Sequence, residues 1–144
     1  NRAGTADEAF AKTAQAVIST IGYASIRLTA DRVIDYNTGL AHAVFYAMTA
    51  YEHIEKEHLH GEVVALGCLI LALVDRQTEF ERLYAFNRWC RLPTQMEDLS
   101  FTPSMTQALL PKIAAMPDIA HSPYPISVNM LKEAFEALKI KNNI

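Results

Sequence analysis

Apolar residues recur along this chain with a helical period almost throughout. Ala9, Phe10, Thr13, Val17 and Ile21 mark one face of a first helix over residues 5–21, ending near Gly22. A second helix is expected over residues 30–52, weakened near Asn37-Thr38-Gly39 because Asn and Gly are poor helix formers. The charged run from Glu52 to His58 reads as a solvated connection. A third helix follows from Leu59 to Val74. Thr78-Glu79-Phe80-Glu81 has the form of a capping box and predicts the start of a fourth helix, which ends near Arg91 before Leu92-Pro93-Thr94. Thr102-Pro103 reads as an N-cap with proline at the first helical position. Pro111 is expected to kink or split that fifth helix. Met116-Pro117-Asp118 through Tyr124-Pro125 is a proline-punctuated loop. The last helix spans residues 127–140, with Val128, Leu131, Phe135 and Leu138 as its buried stripe. Five or six helices and no convincing strand predict an all-α, multi-helix bundle forming one domain over residues 1–144.

Composition narrows the function classes. Hydrophobic residues make up 51% of the 144 residues, enough for a core, and charged residues 20%. The net charge is -3 and the Lys and Arg residues are scattered, so a nucleic-acid surface is not expected. Five glycines and the lack of GxGxxG or GxxxxGK[ST] argue against a phosphate-binding loop in this chain. The longest apolar run, Val63 to Val74, is too short to cross a bilayer. No signal peptide is visible, so a cytoplasmic location is expected. Cys68 and Cys90 lie in helical patterns and read as core thiols rather than a disulfide, and Trp89 beside Cys90 reads as a packing residue. The chain starts at Asn1 rather than Met, which hints at an absent N-terminal portion. The apolar content is compatible with association into a homo-oligomer.

The candidate chemistry lies in two histidines, 18 residues apart, each within or beside a strongly apolar helix: His42 in Gly39-Leu40-Ala41-His42-Ala43 and His60 in His58-Leu59-His60-Gly61-Glu62. Singly, His42 reads either as a hydrogen-bonded core histidine or as a metal ligand, and His60 as a capping or surface residue or as a ligand. Together, two imidazoles on separate helices suit a divalent metal with open positions. A third ligand is needed. Asp7, Asp35 and Glu62 are candidates, none singled out by spacing, and Glu62 reads first as a first-turn acid favoured by the helix dipole. Gly61 beside His60 permits close approach of a backbone or ligand. Phe45 and Tyr46, three and four residues after His42, are either core residues or a wall of the substrate pocket. His121, in the proline-rich loop, is a tentative pocket residue. His58 and His53 read as exposed or solvated. No serine or cysteine has a nucleophile signature.

At these segments, from Tyr36 to about Pro93, the chain resembles the C-terminal helical domain of the glycerol dehydrogenase-like branch of the iron-containing alcohol dehydrogenase superfamily. The carriers are Gly39-Leu40-Ala41-His42-Ala43, His60-Gly61-Glu62-Val63-Val64-Ala65-Leu66-Gly67 and Leu92-Pro93-Thr94. The resemblance implies that His42 and His60 hold a catalytic zinc or iron. It also implies NAD or NADP bound mainly by an N-terminal domain that this chain lacks, so that the chain is one wall of an interdomain cleft, inactive alone. The implied activity is oxidation of a small alcohol or polyol. The sequence departs from the pattern at Phe45 and Tyr46, where members often carry a second histidine, and at Arg91, where they carry glycine. The family's metal-binding aspartate lies well upstream in a Gly-Asp-Ala-Leu-Ala-type helix, which Thr5-Ala6-Asp7-Glu8-Ala9 echoes at too short a separation from His42. A dehydroquinate synthase-like lyase domain is the alternative within this fold, although no Gly-His-Thr-x-Gly-His-Ala pattern is present. A non-catalytic helical binding module is the alternative outside it.

Overall fold

The structure, a computed structural model, describes residues 6–30 and 38–143. The protein is all-α. The chain divides into two compact units, Asn1–Asn37 and Thr38–Ile144.

In the first unit, α1 (Glu8–Ala16) opens on Asp7, whose carboxylate accepts from the Phe10 N–H at 2.8 Å. The expected stop at Gly22 does not occur. A π-helical turn, Val17–Ile21, leads directly into α2 (Gly22–Ala30), and Gly22 itself has ordinary helical angles. A lone glycine costs a helix only about 1 kcal/mol, too little to end one without a left-handed residue or a proline after it. The expected N-terminal portion of the second helix, with Asp35 and Asn37, lies outside the described residues.

The second unit holds the core. Helix α3 (Leu40–Met48) buries Leu40, Ala41, Ala43, Val44, Ala47 and Met48. The charged run after it is a short helix, α4 (Glu52–Glu57), rather than an open connection, because Ile54 is buried and anchors it. Helix α5 (His60–Val74) matches the expected third helix and buries Val63, Leu66, Leu69 and Ile70 completely. Helix α6 (Phe80–Cys90) starts without the expected capping box: Glu79 is its N-cap and makes no side-chain cap. Its inward face carries Phe80, Leu83, Tyr84 and Asn87, three and four residues apart. Trp89 and Cys90 therefore fall on the outward side and are exposed, not packed. Both cysteines are free thiols, and Cys68 is only half-buried.

A 3-10 turn over Met96–Leu99, unforeseen in the periodicity, buries Met96 and Leu99. Helix α7 (Pro103–Ala114) is capped as expected by the Thr102 hydroxyl, which accepts from Met105 N–H, and it runs through Pro111. Pro111 and Gln107, whose carbonyl loses its partner, are both exposed, so water serves that carbonyl and the helix survives. Helix α8 (Val128–Asn142) is capped by Ser127 and buries Leu131, Ala134, Phe135 and Leu138. Val128, expected in this stripe, is 39% exposed because it opens the helix at its rim.

Helix α5 lies at the centre of this unit, packed on α3, α6 and α8. It comes close to α3 at Gly67. A Cβ there would lie 2.5 Å from the Ala41 carbonyl oxygen and 2.8 Å from its Cα. Only glycine permits this crossing. No helix among the described residues is long and apolar enough to cross a membrane.

Candidate metal centre

The Gly67–Ala41 crossing positions the histidines. Ala41 meets Gly67 while Phe45 meets His60, so α3 and α5 run antiparallel. On α3 the neighbours of Ala41 are buried all round except at His42, Phe45 and Tyr46, which share one side. On α5 the first residue, His60, rises toward that same side. Its helix entry is held by Glu62, whose Oε2 accepts from Leu59 N–H at 3.1 Å and lies 3.6 Å from His58 Nδ1. Glu62 thus serves the helix N-terminus, and half-buried His58 is its neighbour. Gly61 has open space where a Cβ would stand, so nothing among the described residues exploits its small size.

The His42 and His60 rings have centroids 5.5 Å apart. Phe45 stands edge-on to His60 at 4.3 Å, and Tyr46 lies 5.3 Å from Phe45 and 6.3 Å from His42. His42 is half-buried and His60 exposed, with Tyr46 exposed at the rim. No hydrogen bond joins either imidazole to another described residue. Burial, and secondly the neighbouring His60, hold the His42 pKa below 6.5, opposed by the Asp118 carboxylate. His42 is therefore neutral at pH 7, the form in which an imidazole ligates a metal.

The geometry fits a shared ion. With metal–nitrogen bonds of about 2.0–2.1 Å and tetrahedral angles, two imidazole centroids stand roughly 5 Å apart. Two imidazoles without a hydrogen-bond partner among the described residues suit zinc or ferrous iron alike. Among the described residues the donor set stops at this pair: no group of three or more His, Cys, Asp or Glu is arranged to hold a metal. Asp7 is engaged as the α1 N-cap.

The other histidines have different settings. His121 is exposed in the turn that follows a second 3-10 turn, Pro117–Ile119. His53 is not solvated. Its Nε2 is 3.1 Å from the Leu99 carbonyl and its ring packs 5.4 Å from Phe101 and 6.2 Å from Tyr51, which ties α4 to the 96–101 segment. Charge around His53 in the sequence hid this, because only the fold brings Leu99 and Phe101 to it. Asp118 is the residue that sequence reasoning passed over. It lies in the proline-punctuated loop, where only His121 stood out, and its neighbour Pro117, at the start of the turn, is the one local signal.

No protein-family profile matches the chain, and no curated protein does. Among solved structures, the chain is similar to a probable glycerol dehydrogenase from Sinorhizobium meliloti 1021, with 28% identity and a TM-score of 0.62. The alignment covers 73% of this chain and 31% of that protein, so the chain corresponds to about a third of its length. This supports a relationship to glycerol dehydrogenase-like proteins.

Proposed function

We propose that this chain is the metal- and substrate-binding helical domain of an NAD- or NADP-linked alcohol or polyol dehydrogenase. In this reading His42 and His60 hold one zinc or iron ion, and the nicotinamide-binding portion and a carboxylate ligand come from outside the described residues. The observation that carries it is the pairing, at 5.5 Å across a helix crossing that Gly67 makes possible, of two imidazoles with no hydrogen bond to any described residue. The similarity to a probable glycerol dehydrogenase supports the reaction class and suggests a polyol as substrate.

A metal held by His42 and His60 would supply Lewis-acid polarisation of a substrate hydroxyl, and a nicotinamide bound outside the described residues would supply the hydride acceptor. The chain's own residues do the rest. His42 presents a neutral imidazole because burial and His60 disfavour its protonation. Phe45, edge-on to the His60 ring, limits the ring's rotation. Tyr46, exposed beside His42, forms a wall against which a small polyol could lie. In this reading His121, on the turn after Pro117–Ile119, also lines the substrate pocket. A cytoplasmic location accords with use of soluble nicotinamide cofactor.

The test is turnover of polyols by the complete protein with NAD(H) and NADP(H), with and without a chelator. Chelator-sensitive activity is expected. His60→Ala should abolish metal-dependent turnover and leave the far-ultraviolet circular dichroism unchanged. Activity that survives His60→Ala makes His60 a helix-entry residue and ends the metal-site reading.

A further inference from the structure

We infer that the outward face of α6 is a pairing surface for a second copy of this chain: Arg82, Ala85, Phe86 and Trp89 meet the same residues of an antiparallel α6 across a two-fold axis. The pairing goes beyond the metal-site reading and does not depend on it.

Trp89 is 77% exposed, the most exposed large hydrophobic side chain among the described residues, and Phe86 is 53% exposed. Their ring centroids lie 6.5 Å apart, so the two form one aromatic patch. The inward side of α6 is already used, with Tyr84 and Asn87 buried. The patch stands on the other side. Arg82, Ala85, Phe86 and Trp89 follow one another at i, i+3, i+4 and i+7, and all are exposed. Large exposed aromatic side chains gathered on one helix face mark an interaction site.

This face is complementary to itself. With the two-fold axis between Ala85 and Phe86, an antiparallel pair of α6 helices places Ala85 opposite Phe86 of the partner subunit and Arg82 opposite Trp89 of the partner subunit. A small side chain then receives a large one, which lets the helices pack closely. A guanidinium comes over an indole, the strongest kind of cation–π pair. Arg82 can take that role, because its ion pair with Glu79, at 3.2 Å, is exposed and such pairs contribute little. The two-fold axis makes each contact occur twice. Phe86 and Trp89 offer roughly 250–300 Å² of aromatic surface per copy. That is about a third of the ~800 Å² each partner gives to a standard interface. The pairing is therefore weak, with a dissociation constant on the order of 10 μM.

The test is sedimentation velocity of the full chain over a concentration series, with circular dichroism to check helix content. Wild type, Trp89→Ser, Ala85→Lys and Arg82→Gln are compared; all three replaced side chains are exposed, so the fold should persist. Wild type should pass from monomer to dimer. The emission of Trp89, the one tryptophan of the chain, should shift to shorter wavelength over the same range as the indole leaves water. Trp89→Ser and Ala85→Lys should each weaken association at least tenfold, and Arg82→Gln about fivefold. Wild type that stays monomeric up to roughly 1 mM, or a dimer that Trp89→Ser and Ala85→Lys leave intact, overturns the pairing. A dimer that needs Trp89 but ignores Arg82→Gln overturns the antiparallel register.

Discussion

The α3–α5 corner and the α6–α8 seam use polar atoms in opposite ways. At the seam, Asn142 spends everything it has. Its Nδ2 donates to Thr94 O at 2.8 Å and Leu138 O at 2.9 Å, and its Oδ1 accepts from Tyr84 Oη at 2.9 Å and Thr94 Oγ1 at 3.1 Å. Asn87 likewise donates to Pro93 O and Ala65 O, and Asp98 accepts from Thr94 N–H and Gln95 N–H. At the corner, two imidazoles face each other with no hydrogen bond to any described residue. Saturated groups fasten elements and have nothing left for a ligand. Unsaturated groups retained at a tight helix crossing are what a ligand site requires. His53, bonded to Leu99 O, shows the first behaviour within the same residue type.

The sharpest way to break the corner is Gly67→Ala. The added methyl would stand 2.5 Å from a backbone oxygen, which no rotamer relieves. The helices must move apart, at a cost of roughly 3 kcal/mol. A drop of that size in unfolding free energy from denaturant titration is expected, together with weaker metal binding. A Gly67→Ala protein of native stability would contradict the close crossing. Asn142→Ala breaks the seam instead. It strips partners from Tyr84, Thr94 and Leu138 at about 2 kcal/mol, yet cobalt binding at the corner should be untouched. If both properties fall together, the two regions are not separable as described.

Arg91→Gly acts in the other direction. Arg91 is the C-cap of α6 with φ 59, in the left-handed region that favours glycine. The replacement should raise stability by about 0.5–1 kcal/mol, seen as a higher denaturant midpoint. The resemblance already expected glycine there, and the cap conformation is the reason.

The smallest expected effect is a pH dependence from His42. Its folded pKa lies below 6.5. Below that pH the unfolded chain holds a proton that the folded chain has released, so stability rises with pH. The penalty is absent above about pH 7.5 and grows as pH falls through 6.5 toward the folded pKa. The unfolding midpoint of the metal-free protein should therefore decline on acidification more in wild type than in His42→Gln. Equal slopes would place His42 in a solvent-like setting.

Much of the fold was legible because helical periodicity and caps are local. Leu59 to Val74, the Thr102-Pro103 start and the Ser127 start are all observed within a residue or two. The misreadings were also local signals, overruled by burial. Ile54 makes a helix of a charged run. The Thr78 box is absent because α6 begins later, after Glu79.

The pairing of His42 with His60 was legible as two motifs and their spacing. The small-residue pattern that allows it, Ala41 against Gly67, was visible as letters but not as a contact. Asp118 and the true setting of His53 were not legible, because each depends on residues far away in the chain. The amino-acid sequence alone determined which segments are helical and which residue types carry imidazole chemistry, since periodicity, caps and donor atoms belong to short stretches. Only the tertiary structure decided which imidazoles stay without a hydrogen bond to any described residue and how near two helices come, because burial and electrostatics depend on every element packed around a group at once.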